Sequence, residues 1–336
     1  MQRERPPVSA PTRPRRRRLR ALPPEPLPPA PLAPAESVRR LSLQISARLD
    51  GVLQGEHLGY LPGPGTEPSE ARAYAPGDDV RRIDWAVTAR TGEPHVRQAV
   101  AERELETTLL VDLTASMSFG TARSEKREVA VALAAAVTQL ASGPGDRIAG
   151  VILGDTVRRL PSRAGQSGAL ALLHALRTTR PGDGAGPTLA QGLSAVASPP
   201  RRRGLVVVVS DLLGPPVPPG APLPWARPLR TLARRHDVVV VEVIDPRELE
   251  LPEVGMLRLV DPESGRHLEV QTRDARLRAR YAEAAAARRA MHAEQVRAAG
   301  AGHLVLRTDR DWLPSLAGFL ASRRRLRAAG RAPGGR

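Results

Sequence analysis

The chain has no cysteine, a single lysine (Lys126) and only eight aromatic residues among 336. Without cysteine there is no disulfide, no thiolate metal centre and no cysteine nucleophile, which fits a reducing compartment. With aromatics at 2%, a core must be assembled from Leu, Val, Ile and Ala. No continuous apolar run reaches the roughly 18–20 residues that span a bilayer. The N-terminus carries arginines but lacks the apolar segment of a secretory signal. The expectation is a cytoplasmic protein with no transmembrane segment.

Charge is plentiful but unevenly placed. The formal net charge is +16, yet residues 1–20 hold eight arginines against Glu4, and residues 323–336 hold six arginines and no acid. The body between them is close to neutral, so the basicity lives in two tails. The first tail, residues 1–35, continues into a proline-rich stretch from Pro23 to Pro34 that lacks the apolar content to offset ordering entropy and reads as disordered. Such tails could touch nucleic acid or an anionic membrane surface, weakly and without sequence preference; a solvated, solubilising tail is the simpler reading.

Between the tails the pattern is that of an α/β protein. Val38, Leu41, Ile45, Leu49 and Leu53 recur at helical spacing and predict an amphipathic helix from Glu36 to about Gly55. A Gly/Pro-punctuated loop leads to the run Arg72–Trp85, in which Pro76-Gly77 sets a turn. Asp78, Asp79, Arg81, Arg82 and Asp84 could form an ion-paired cluster around Ile83 and Trp85; a charged turn pinned by a buried Trp85 is the favoured reading. A strand is expected over His95–Ala101. From Thr107 strands and helices alternate: strands at Thr107–Leu113, Arg147–Leu153, Gly204–Asp211, Asp237–Ile244 and His303–Leu306, and helices from Ser124, over Gly165–Thr178, Thr188–Val196, Trp225–Arg235, Asp274–Ala299 and Asp311–Ser322. Thr156–Leu160 is a hairpin partner for the second strand, and Arg258–Val260 with His267–Val270 form a separate hairpin. The alternation predicts one doubly wound, mostly parallel, Rossmann-type sheet. The four stretches are thus a disordered tail (1–35), an N-terminal segment (36–105), the α/β domain (106–322) and a basic C-terminal tail (323–336).

Thr107–Gly120 is the chemically dense stretch. An apolar run, Leu109–Val111, ends in Asp112, Thr114 and Ser116, a carboxylate followed by alternating hydroxyls. Two further strand-end clusters follow in order, Thr188 in Gly-Pro-Thr and Asp211 in Val-Ser-Asp. In an open parallel sheet the carboxyl ends of central strands converge on one crevice. Two carboxylates and three hydroxyls there are hard oxygen donors of the kind that suit Mg²⁺. Each residue alone has a plain structural use, as a turn, a helix cap or a strand end.

Asp112-x-Thr114-x-Ser116 resembles the D-x-S-x-S metal-ion-dependent adhesion site (MIDAS) of von Willebrand factor A domains, with threonine in place of the middle serine. The chain from Glu36 to Ser322 also resembles the domain-of-unknown-function 58 (DUF58) family, whose hallmark R-x-Y-x-P-G-D-D-x-R-x-I-D-W, then A-x-x-A-R, reads here as Arg72, Tyr74, Pro76, Gly77, Asp78, Asp79, Arg81, Ile83, Asp84, Trp85, Ala86, Ala89 and Arg90. Asp245-Pro246-Arg247-Glu248 and Tyr281 match further stretches of that family. The resemblance implies a von Willebrand A-like domain with Asp112, Thr114, Ser116, Thr188 and Asp211 around a divalent cation, and partnership with a MoxR-type AAA+ ATPase as an adaptor or chaperone-like factor. It leaves the hallmark residues without an assigned role and both tails unexplained.

Catalysis is not expected. Ser116 or Ser118 with His174 or His236 would be the nucleophile and base of a hydrolase, but no G-x-S-x-G elbow surrounds either serine. Neither a P-loop nor a dinucleotide-binding glycine motif follows any strand. The reading is therefore a non-enzymatic, Mg²⁺-dependent protein-binding module whose partner presents an acidic residue. The alternative is a protein acting on nucleic acid or membrane surfaces through its arginine tails.

Overall fold

A computed structural model describes residues 71–75, 79–97, 106–141, 145–180, 186–198, 203–214, 217–218, 221–261 and 265–329. The expected helix after Glu36, the N-terminal tail and the turn residues Pro76, Gly77 and Asp78 lie outside the described residues.

The hallmark run folds into a small ribbon. Strand β1 (Ala71–Ala73) pairs antiparallel with β2 (His95–Arg97), and helix α1 (Trp85–Thr91) lies between them in sequence. Asp84 is the N-cap of α1, its carboxylate accepting from the backbone N–H groups of Ala86 and Val87 at 3.1 and 3.2 Å, while Gly92 closes the helix at φ 78°, where a side chain would be strained. Asp79 likewise accepts from the Arg81 N–H at 3.0 Å. Both carboxylates thus serve the backbone; the ion-paired cluster expected from the charge pattern also involves Asp78 and the Arg82 side chain, which lie outside what the structure describes. Trp85 corrects an expectation. It stands at the first position of α1 with 72% of its surface exposed, because Asp84 turns the chain there and the buried anchor of the ribbon is Val96.

The main sheet contains β3 (Glu106–Asp112), β4 (Arg147–Leu153), β5 (Val157–Ala164), β6 (Leu205–Ser210), β7 (Asp237–Ile244) and β10 (Gly302–Arg307), in the order β10-β7-β6-β3-β4-β5. All neighbours are parallel except β5, which pairs antiparallel with β4 at one edge. The β-branched run of β6 is buried on both faces, as a central parallel strand requires. At Gly204, just before β6, an added Cβ would lie 2.0 Å from the Glu106 carbonyl oxygen, so only glycine lets the two strands start this close.

Helices cover both faces. Helices α2 (Lys126–Leu140), α3 (Gly165–Thr178) and α7 (Leu313–Ala329) pack on one face around Leu133, Leu176 and Leu316. Helices α4 (Leu189–Ala197), α5 (Ala226–Ala233) and α6 (Ala275–Ala298) pack on the other around Leu193, Leu229 and Val296. This is the doubly wound α/β architecture expected from the alternation of strands and helices. Between β7 and α6 the chain makes the hairpin β8 (Met256–Val260) and β9 (His267–Gln271), with Met256 and Leu268 exposed.

Most element boundaries fall within two residues of the sequence expectation. Helix α2 begins after Glu125, whose backbone N–H donates to the Glu128 carboxylate at 3.1 Å, so the expected Ser124 cap lies one residue early. Helix α7 runs seven residues past Ser322, and Arg323, placed in the tail by its charge, is an ion-pair partner of Asp237.

Candidate metal site at the carboxyl edge of the sheet

The sheet order fixes where the site lies. From β3 the chain moves outward to β4 and β5, then returns to the other side of β3 to lay down β6. The crevice between the carboxyl ends of β3 and β6 is therefore the topological switch point, where ligands of open α/β sheets bind. Asp112 ends β3, and Ser210 and Asp211 end β6.

The loop after β3 folds back on Asp112. Its Oδ1 accepts from the Thr114 backbone N–H at 3.1 Å and from Thr114 Oγ1 at 2.7 Å, and Thr114 Oγ1 lies 3.5 Å from Ser116 Oγ. Ser210 donates to Asp112 Oδ2 at 2.8 Å. All four side chains are buried. Burial, and then the nearby charge of Asp211, push the Asp112 carboxyl up to about 6 against the hydrogen bonds from Thr114 and Ser210. A carboxylate so placed lacks a counter-charge: among the described residues no basic group lies within ion-pair distance of it.

Asp211 has the opposite surroundings. Its Oδ2 accepts from Lys126 Nζ at 2.7 Å, and the same ammonium reaches Glu248 Oε1 at 2.5 Å. Its Oδ1 accepts from the Leu213 N–H at 3.0 Å, and the Leu212 N–H donates to Ser210 Oγ at 3.0 Å. These bonds hold Leu212 at φ 58°, the left-handed region that a bulky residue occupies only when its surroundings impose it. Lys126 is fully buried; desolvation lowers its pKa, but the two carboxylates outweigh that and hold it above the ordinary lysine value. Burial pushes the Glu248 carboxyl up in spite of Lys126.

Asp245, after β7, ties three strand ends together. It accepts from the Thr121 N–H (2.8 Å) and hydroxyl (2.5 Å), from Thr308 Oγ1 (2.7 Å) after β10, and from the Arg247 N–H (2.9 Å). Burial alone would raise its pKa; these donors bring it below the usual aspartate value.

The structure thus brings Asp112, Thr114 and Ser116 together and sets Asp211 on the adjacent strand. Thr188 is different. It lies at the start of α4 on the same edge of the sheet, but it is exposed and serves as that helix's N-cap, with its Oγ1 accepting from the Gln191 N–H at 3.3 Å. Its described side-chain hydrogen bonds all go to Gln191. Of the hallmark residues, Tyr74, Asp79, Arg81, Asp84, Trp85 and Arg90 belong to the ribbon of β1, α1 and β2, with Tyr74 N–H donating to the Pro94 carbonyl at 2.8 Å. Sequence reasoning missed Ser210, Lys126 and Glu248. The signal for Lys126 was in plain view, as the single lysine of an arginine-rich chain.

A third polar cluster sits one strand further along. Glu242 on β7 is buried, with His292 Nδ1 of α6 3.2 Å from Oε1 and His303 Nε2 of β10 3.1 Å from Oε2. Burial would raise the Glu242 carboxyl, but the two imidazoles bring it down to about 2.

Residues 70–291 match the family described as "Protein of unknown function DUF58". An uncharacterized protein of Mycobacterium tuberculosis is 51% identical over 298 residues, covering 88% of this chain and 92% of that one. An uncharacterized protein of Mycobacterium avium is 45% identical over 174 residues, covering 52% of this chain and 98% of its own length. Among solved structures, the conserved hypothetical protein BatB from Bacteroides thetaiotaomicron aligns at TM-score 0.38 and 14% identity, covering 65% of this chain and 98% of that one. A von Willebrand factor type A structure from Catenulispora acidiphila aligns at TM-score 0.33 and 15% identity, covering 42% and 33%.

Proposed function

Since this chain belongs to the DUF58 family of proteins of unknown function, we propose that it is a non-enzymatic protein-binding module whose sheet edge takes up a divalent cation, Mg²⁺ by the chemistry of its donors. The observation that carries this reading is Asp112, a buried carboxylate with two hydroxyls beside it and, among the described residues, no basic group within ion-pair distance. The donors are all oxygen and sit at the switch point of the sheet, so they fit a hard metal ion. Asp112, Thr114 and Ser116 would hold it, with Asp211 close by and Thr188 reaching it only if its hydroxyl leaves Gln191. When bound, the cation supplies a Lewis-acidic position for an outside carboxylate. What this chain's own residues do is orient: Ser210 and the Thr114 N–H fix the Asp112 carboxylate, and the Asp245 bonds hold the loops after β3, β7 and β10 in register.

The partner in this reading is an acidic surface of another protein, with a MoxR-type AAA+ ATPase as the first candidate and a chaperone-like adaptor role. The hallmark run from Arg72 to Arg90 supports it through the family likeness. None of the described helices is long and apolar enough to cross a membrane, and a cytoplasmic site of action belongs to the same proposal. Weak nucleic-acid contact by the arginine tails would be incidental.

The test is metal-linked binding. Calorimetry should show Mg²⁺ or Mn²⁺ uptake by the wild-type chain, and Asp112→Ala should abolish it while leaving the melt cooperative. EDTA should release the ATPase from wild type and have no effect on what remains in the variant. Uptake and partner binding that ignore both EDTA and Asp112→Ala would refute the reading.

A further inference from the structure

Of the 51 basic residues in the chain, 50 are arginine, and the single lysine is fully buried beside the candidate metal site. Its position is unfavourable on general grounds. Lys126 is the first residue of α2, the helix end at which the backbone dipole disfavours a cation. Two carboxylates offset that cost, Asp211 at 2.7 Å and Glu248 at 2.5 Å, and the Phe119 ring centroid lies 5.9 Å from the ammonium. A compact ammonium with three rotatable donors meets two separate carboxylates in this space; a planar guanidinium is larger and presents its donors in a fixed fork.

Asp112 and Asp211 stand at the ends of adjacent strands, yet their partners differ in kind. Asp112 is held on both oxygens by hydroxyls, and a hydroxyl that donates to a carboxylate keeps lone pairs for a metal ion. Asp211 is held by an ammonium and a backbone N–H, which have no lone pairs to offer. We propose that Lys126 is the resident cation of this edge: it withdraws Asp211 and Glu248 from the ligand set and leaves Asp112, Thr114 and Ser116 as a single-carboxylate half-site. This rests on the metal reading above and deepens it. A half-site with one carboxylate holds a divalent cation weakly alone and tightly once a partner protein brings a second carboxylate. Lys126 would thereby make the cation depend on the partner.

The test compares wild type with Lys126→Met and with Lys126→Met/Glu248→Gln, which keeps the net charge and releases Asp211 alone. Full-length proteins are titrated with MnCl₂ by calorimetry, with circular dichroism as the check of folding. Both variants should bind Mn²⁺ about tenfold more tightly or better, the scale expected when a neighbouring positive charge is removed and a carboxylate released. Wild type that binds Mn²⁺ while the folded double variant binds it no more tightly would overturn the proposal and spare the metal reading. Binding by the double variant alone would overturn both, leaving Lys126 as the cation that has replaced the metal. Binding by neither would overturn both. A double variant that folds neither with nor without Mn²⁺ would also overturn the proposal, since Lys126 would then be a folding residue.

Discussion

Asp112→Asn should stabilise the metal-free protein. A carboxyl moved from 3.8 to about 6 binds its proton more tightly when folded than when unfolded. Its ionisation therefore penalises the folded state, with nothing lost below about pH 4 and the full cost reached above pH 6. The cost corresponds to about 3 kcal/mol. Asparagine keeps an oxygen for the Thr114 donors but sets an amide against Ser210 Oγ, which already accepts from Leu212; the weaker bonding returns about 1 kcal/mol. The net gain of about 2 kcal/mol corresponds to a rise in Tm of about 4–8 °C for a domain of this size. Thermal melts in EDTA at pH 7.5 should show it, and the difference should shrink as pH falls through 6 toward 4. Saturating Mg²⁺ should invert the order, because wild type alone gains about 2.7 kcal/mol at a hundredfold excess over Kd. If Asp112→Asn melts at or below wild type in EDTA at pH 7.5, the carboxylate is already satisfied within the fold and the missing counter-charge is not real.

Glu242 should behave with the opposite sign. Its carboxyl, brought down to about 2 by His292 and His303, contributes stability that is present above the unfolded value near 4.5 and lost as pH falls through 2. Glu242→Gln should lower stability at neutral pH by about 2–3 kcal/mol and flatten acid denaturation followed by circular dichroism. Trp85→Ala should change the melting temperature little, since exposed substitutions stay within about 0.5 kcal/mol; if the hallmark run docks a partner, the same variant should lose that partner in a pull-down.

Much of the fold was legible because its strands announce themselves. The run Leu205–Val209 has no polar residue to give it an exposed face, and Asp237–Ile244 carries only Glu242 inward. Such runs can only be covered on both sides, and alternation with helices then dictates a parallel sheet. Asp112, Thr114 and Ser116 were legible because they lie within five residues of one another. Lys126, Glu248 and Ser210 were not, because their meaning depends on contacts between elements 85 and 122 residues apart in the case of Lys126. Trp85 misled for a different reason. Large aromatics are usually buried, but Asp84 and Val96 already hold the ribbon, which leaves the indole free to face solvent. Arg323 misled because a run of arginines looks the same in a tail as on the end of a helix.

The burial of Lys126 has a consequence for the chemistry this chain offers to its surroundings. A protein of this length ordinarily displays many ε-amines; here the only one is sealed beneath Phe119 and two carboxylates. Acylating reagents, aldehyde cross-linkers and enzymes that build isopeptide bonds on lysine find no exposed ε-amine on the folded protein. Acylation at residue 126, read by mass spectrometry, therefore reports opening of the sheet edge one molecule at a time, with no background from other side-chain amines to subtract.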